Sequence, residues 1–133
     1  QHAFSDAVDF DFSNLFVKKM SLFRAGNDCL DVSAGHYQII DLLAKECGDK
    51  GLSVGEASVF SGDNILIFKS LVGVASKDSS ITEVKNLTII DTNSCLEAFN
   101  KKPEFNGGVI QIDKYFCKGP ISIDDNSSLN LEQ

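Results

Sequence analysis

Three aspartates near the start of the chain form the densest group of side chains that could do chemistry. Asp9 and Asp11 are two positions apart, and Asp31 follows further along the chain. If the chain returns to the same place at the interval between Asp9 and Asp31, these two residues lie about 5 Å apart on neighbouring strands. Carboxylates that close repel one another, and a bound Ca²⁺ would relieve the repulsion. We favour the alternative, a solvated charged edge without metal or other cofactor.

A second group of candidate residues surrounds a segment rich in turn-forming residues, Asn100–Gly108. Phe99 precedes the segment, which itself carries Lys101, Lys102 and Phe105. The aromatic rings are candidate stacking platforms for sugars, and the lysines are candidate contacts for anions. Loops that protrude from a rigid scaffold often bind ligands. The alternative is a tolerated loop in which Phe105 folds back to cover the core.

A regular repeat must position both groups. Five equally spaced segments alternate apolar, polar and apolar side chains, which is typical of a short strand with one buried face. Their first residues recur at the interval that separates Asp9 from Asp31, at Ala7, Cys29, Gly51, Gly73 and Cys95. A sixth segment starts at Pro120, later than this interval predicts, so the fifth unit contains an insertion. The second position of the segments is aliphatic throughout, at Val8, Leu30, Leu52, Val74, Leu96 and Ile121.

Each unit also contains a second alternating stretch, such as Ile65–Ile67 and Leu87–Ile89. The corresponding stretches of the first two units are displaced by one position, which predicts a one-residue bulge between the second and third units. Between the two strands of a unit lies an apolar column, which we assign to Leu15, Tyr37, Val59 and Ile81. Asn64 and Asn86 fall at equivalent turn positions and predict a side-chain ladder.

A 22-residue repeat with two or three short strands per unit predicts an all-β fold, a single-stranded right-handed parallel β-helix of about six coils, in which stacking buries the apolar sides. We expect residues 1–133 to form a single β-helix domain that is part of a longer chain. The segments Asn27–Ser33, Gly48–Gly55 and Val72–Ser80 carry the pattern most clearly. In these phrases and in its period, the chain resembles the right-handed β-helix repeat family, whose architecture pectate-lyase-like proteins also use.

The repeat predicts which side chains face outward. One outward column contains Asp9, Asp31, Ser53, Ala75, Glu97 and Ser122, and the next contains Asp11, Ser33, Gly55, Lys77, Phe99 and Asp124. The resemblance implies that a polysaccharide lyase would use the three N-terminal aspartates as Ca²⁺ ligands and Lys50 or Lys77 as the base that abstracts a proton. Against that interpretation, Arg24 is the only arginine, and acidic sugars are usually held by a bidentate guanidinium.

The four cysteines are at positions 29, 47, 95 and 117. No two of them form a C-x-x-C motif, so we expect no zinc site. The repeat puts Cys29 and Cys95 three coils apart, about 14 Å, which is too far for a bridge. Links across one corner, Cys29–Cys47 or Cys95–Cys117, stay open. We favour four free thiols packed as small hydrophobic side chains.

The net charge and the length of the apolar runs argue against two classes of function. A net charge of −7 argues against a nucleic-acid partner, and the longest apolar runs are too short for membrane insertion. We expect a non-catalytic module, extracellular or at the cell surface, that binds a glycan or a protein or displays a neighbouring domain. The candidate binding residues are Asp9, Asp11, Asp31, Lys77, Glu97, Phe99, Lys101, Lys102 and Phe105. The alternatives are a truncated polysaccharide lyase or hydrolase and a structural solenoid that self-associates end to end.

Overall fold

The computed structural model describes residues 7–132, and residues 1–6 and Gln133 of the predicted domain lie outside this range. The described residues form nine β-strands and no helix. They therefore contain no helix that is long and apolar enough to cross a membrane. The strands are β1 (Val8–Asp11), β2 (Asn14–Ala25), β3 (Leu30–Ser33), β4 (His36–Val54), β5 (Val59–Lys77), β6 (Ile81–Phe99), β7 (Val109–Phe116), β8 (Ile121–Ile123) and β9 (Ser128–Leu131).

All strands pair in parallel, and each pairs with the equivalent segment of the next turn of the chain. The main path of neighbours is β1-β3-β4-β5-β6-β7-β9, with β2 beside β4 and β8 beside β6. Strands β4, β5 and β6 each have 19 residues and run around corners of the coil. The chain therefore winds into a parallel β-solenoid of about six turns, which confirms the predicted all-β fold and the length of its repeat.

The predicted core column is confirmed residue by residue. The register pairs Val8, Leu30, Leu52, Val74, Leu96 and Ile121 in succession. Leu30, Leu52, Val74 and Leu96 have no exposed surface, whereas Ile121 in the last coil is 39% exposed. Each coil thus buries its apolar side only where it has a neighbour on both sides, as stacked repeats require.

The predicted second apolar column is correct for Leu15 and Tyr37 but wrong for Val59 and Ile81. Tyr37 pairs with Phe60, and not with Val59, because the register between β4 and β5 is displaced by one position in this region. A β-bulge between Cys47 and Lys50 then restores the regular offset, close to where the sequence predicts a bulge. Consequently Phe60 is buried in the core, and the following alternation leaves Val59 partly exposed on the outer side.

The prediction of four free thiols is also wrong. Cys29 is bonded to Cys47 and Cys95 to Cys117, with Cα–Cα distances of 5.3 and 6.2 Å. Each bridge joins the residue directly before a leucine of the core column, Leu30 or Leu96, to a cysteine further along the chain. These are the two links that the sequence left open, and burial alone could not decide between a thiol and a bridge.

Candidate functional site

The N-terminal aspartates lie where the repeat places them, on the outer side of β1 and β3. Asp9 pairs with Asp31 and Asp11 pairs with Ser33 on adjacent coils. The Ser33 hydroxyl donates a hydrogen bond of 2.8 Å to Oδ1 of Asp11. Within residues 7–132, no three His, Cys, Asp or Glu side chains converge in a way that could hold a metal ion. The column therefore places carboxylates along this face of the sheet.

The middle of the first outward column is covered, which the sequence did not predict. Ser53 and Ala75 follow Asp31 in the register and precede Glu97, yet neither has any exposed surface. Their short side chains are recessed between the longer carboxylates of Asp31 and Glu97. The column therefore presents to a ligand only its outer residues, Asp9 and Asp31 on one side and Glu97 and Ser122 on the other.

Lys50, one of the two candidate bases, is largely buried in an acidic surround. Its Nζ lies 3.0 Å from Oδ2 of Asp49 and 3.9 Å from Oδ1 of Asp28. Burial by itself lowers the pKa of Lys50, but the hydrogen bond to Asp49 and the charges of Asp28, Asp49 and Glu97 outweigh it, so the pKa is raised above its ordinary value. A lysine held in the charged form is a poor proton acceptor at neutral pH.

The insertion forms an ordered loop around one buried carboxylate. Asp78 lies in the turn after β5 and is almost completely buried. Its Oδ1 accepts hydrogen bonds from the backbone N–H groups of Lys101 (2.7 Å) and Lys102 (2.9 Å), and from the Asn100 amide at 3.3 Å. The same amide donates to the carbonyl of Phe105 at 2.8 Å and so closes the loop.

The return of the loop requires glycine. A Cβ on Gly108 would lie 2.0 Å from the carbonyl oxygen of Ser76, so no other residue fits without a shift of the backbone. Phe105 is partly exposed, and its backbone N–H donates to the carbonyl of Lys102 at 3.1 Å. The loop thus lies firmly against the coil below it, with the lysines at its tip.

This loop and the outward columns of the sheet enclose one cleft of about 180 Å³. The cleft is lined by Asp31, Ser33, Gly55, Glu56, Lys77, Asp78, Lys101 and Lys102; we call it the loop cleft. Lys102 forms an ion pair with Glu56 across the cleft. The hydrogen bond between these two side chains raises the pKa of Lys102 above its usual value. Lys77 and Lys101 have no ion-pair partner within residues 7–132.

The structure thus brings together four of the predicted binding residues, Asp31, Lys77, Lys101 and Lys102. Phe99 pairs with Lys77 on the neighbouring coil but does not itself line the cleft, and Asp9 and Asp11 lie one coil away toward the N-terminus. Glu97, paired with Ala75 and Ser122, and Phe105 do not line the cleft.

Two residues of the site, Glu56 and Asp78, were missed, although the repeat contained the signal for them. Glu56, Asp78 and Asn100 follow one another at the interval of the repeat, in the turn after the same strand position of three successive units. Turn residues at equal spacing stack in a solenoid, and the hydrogen bond between Asn100 and Asp78 is one result. Extending the columns by one turn position would have found them.

No protein-family model matches the chain, and neither the curated protein sequences nor the solved structures contain a significant match to it. The interpretation of the cleft therefore rests on its own geometry.

Proposed function

We propose that this protein is a non-catalytic β-helix module, extracellular or at the cell surface, that binds an acidic glycan in the loop cleft. The observation that carries the proposal is the meeting of Lys77 with Lys101 and Lys102 in one cleft of a chain whose net charge is −7. Of the three carboxylates that line the same cleft, Glu56 is paired with Lys102, and Asp78 is buried and accepts backbone N–H groups, which leaves Asp31 beside Lys77 and Lys101. Cations clustered on an otherwise acidic protein select an anionic ligand and attract it locally.

The lining residues divide the recognition between charge and hydrogen bonding. Lys77 and Lys101 would contact the carboxylate or sulfate of a sugar unit, and Asp31 and Ser33 would contact its hydroxyls. The ring of Phe99, in the column next to Lys77, provides an apolar face on which a sugar could stack. Lys102, already paired with Glu56, would position the loop rather than contact the ligand.

The cysteine pairing also supports the proposal. The two disulfides are typical of an oxidising compartment, in keeping with a location outside the cytosol.

The alternative, a truncated polysaccharide lyase, finds less support in the site. A lyase base must accept a proton, whereas the surroundings of Lys50 raise its pKa. Arg24 is paired with Glu46 at 3.6 Å and does not line the cleft, so no bidentate clamp for a sugar carboxylate is present there. End-to-end association is the second alternative, because Ile121 leaves the core column partly exposed in the last coil.

Calorimetric titration with oligogalacturonate and with heparin oligosaccharides tests the proposal. We expect saturable binding that weakens as salt increases. The double variant Lys77→Gln/Lys101→Gln should lose about tenfold or more in affinity, which corresponds to about 1.4 kcal/mol. The matched control Lys18→Gln/Lys114→Gln removes the same charge from exposed positions outside the cleft and should bind like the wild type.

Three outcomes would contradict the proposal. One is the absence of binding to every acidic glycan tested, and another is an equal loss of affinity in the control variant. The third is the appearance of an unsaturated sugar product, which would favour the lyase. Sedimentation of the unliganded protein at rising concentration, with a steady mass expected, separates binding from end-to-end association.

A further inference from the structure

A second depression runs along another face of the solenoid. Three hollows of about 500, 440 and 210 Å³ follow one another there. The first two share Asn14 and His36, and the second and third share Ser61, so the hollows form one continuous groove. None of its lining residues belongs to the loop cleft. We call this surface the axial groove.

The axis of the groove follows one outward column of the sheet. The register places Phe16, Gln38, Ser61, Glu83 and Gln111 on five successive coils. At about 4.8 Å per coil, these side chains span roughly 19 Å. Amides and hydroxyls both donate and accept hydrogen bonds, as the hydroxyl groups of sugars do, and the carboxylate of Glu83 adds acceptors.

A mostly apolar column, which we call the apolar wall, runs beside the polar column. His36, Val59, Ile81 and Val109 pair in succession in it. His36 and Val59 line the hollows themselves, and Ile81 and Val109, each more than one third exposed, continue the column. The N-terminal end carries the two most exposed large apolar side chains within residues 7–132, Phe12 (82%) and Phe16 (57%). Exposed aromatic rings beside polar groups are typical of a ligand-binding surface. Apolar ring surface in contact with water is unfavourable, and a ligand ring that stacks on it removes that contact.

The charges of the groove exclude an acidic ligand. Glu83 and Asp113 line it, and its one lysine, Lys85, lies 3.8 Å from Asp63 in an ion pair. The groove is thus neutral to acidic and has no lysine outside an ion pair, whereas Lys77 and Lys101 of the loop cleft have no ion-pair partner within residues 7–132. A peptide that adds a strand needs an unpaired sheet edge, but the central strands β4, β5 and β6 are paired on both sides.

We propose that the axial groove binds an extended, uncharged polysaccharide along the solenoid axis. The aromatic end would stack on a sugar ring, and the column from Gln38 to Gln111 would hydrogen-bond the hydroxyls of successive units. This site is independent of the loop cleft, since the two share no lining residue.

Titration with neutral hexasaccharides (cellohexaose, laminarihexaose and mannohexaose) tests the inference. We expect at least one to bind, and the double variant Phe16→Ala/Gln38→Ala to weaken that binding at least tenfold. Phe116→Ala is the matched control, since Phe116 is also a half-exposed strand residue (52%) but lies outside the groove. The control should bind like the wild type, and circular dichroism should show that all variants are folded.

One charge variant separates this proposal from that of the loop cleft. Lys77→Gln/Lys101→Gln should leave hexasaccharide binding unchanged, because neither lysine lines the groove. Absence of binding by all three hexasaccharides would overturn the inference, as would an equal loss in Phe116→Ala. So would loss of hexasaccharide binding in the lysine variant, which would place the neutral sugar in the loop cleft instead.

Discussion

The loop cleft and the axial groove arise from the same scaffold in opposite ways. The cleft exists because the repeat is interrupted, since its lysines at 101 and 102 come from the loop inserted after β6. The groove exists because the repeat is maintained, since every residue of its polar column comes from an equivalent position of a successive coil. The inserted loop places lysines close together at one point, whereas the repeated coils extend a row of polar side chains along the solenoid.

The two surfaces also differ in how they are coupled to the core. Gln38 in the groove lies between Tyr37 and Ile39, which are both buried, so its position is fixed by core packing. Lys101 in the cleft is instead held through a backbone hydrogen bond to Asp78. The groove should therefore persist as long as the solenoid is folded, whereas the cleft can be lost in a folded protein.

Disruption of the core should remove both surfaces at once, and it is the largest effect that we expect. In Leu52→Asp an unpaired carboxylate would replace a fully buried side chain between Leu30 and Val74. Such a change costs more than about 4 kcal/mol, comparable to the whole stability of a small domain. We expect no cooperative melting transition by circular dichroism and no binding of either glycan class. A folded variant with unchanged melting would contradict the register.

Disruption of the loop anchor should separate the two surfaces. Asp78→Ala removes the acceptor of three hydrogen bonds and leaves two partly buried backbone N–H groups without this acceptor, at a cost of about 2 kcal/mol. Binding of acidic glycans should then be lost, while hexasaccharide binding in the axial groove persists. Calorimetry with both ligands on the same preparation measures the difference.

Asp78→Asn is the graded control for this prediction. Asparagine keeps one acceptor oxygen and tolerates the positive φ of 53° at this position, but it removes the charge. Its effect should therefore fall between those of the wild type and Asp78→Ala. If both variants weakened the binding of acidic glycans and of hexasaccharides equally, the cleft and the groove would be coupled, and the two surfaces would not be independent.

The repeating part of the fold could be predicted from the sequence, because the alternation of apolar and polar residues fixes which face each strand buries. The same reasoning placed Asn64 and Asn86 in a ladder, and Asn86 indeed donates to Asn64 at 3.1 Å. It failed at Val59, where one extra residue changes the register, and a shift of one residue moves every side chain to the opposite face. That error concealed the apolar wall of the axial groove.

The candidate site could be predicted only in part, for a different reason. The columns placed Asp31 and Lys77 on one face, and the turn chemistry of residues 100–108 indicated a protruding loop. The repeat stacks Asn100 on Asp78, but it does not define the path of the inserted residues that follow. That path depends on the hydrogen bonds from the backbone N–H groups of Lys101 and Lys102 to the carboxylate of Asp78. The pairing of the cysteines likewise depended on corner geometry that composition does not contain.

The smallest expected effect concerns the start of the loop and its dependence on pH. Oδ1 of Asp124 accepts hydrogen bonds from the Ser127 hydroxyl (2.7 Å) and the Asn126 N–H, and Oδ2 accepts one from the Asn100 N–H (2.8 Å). The hydrogen bond from Ser127, followed by that from Asn100, lowers the pKa of Asp124 below its ordinary value.

A group whose pKa is lower in the folded state stabilises the protein above its unfolded pKa, near 3.8. That contribution is lost as the pH falls through the folded value. Asp124→Asn should therefore lower the melting temperature slightly at pH 7, by less than Asp78→Asn, and the difference from the wild type should shrink below about pH 4. The neighbouring exposed residue offers the control, since Asp125→Asn removes the same charge without these hydrogen bonds. A difference that stayed constant from pH 7 to pH 2.5 would show that Asp124 holds the loop through its shape alone, and charge would then have no part in anchoring this end of the cleft.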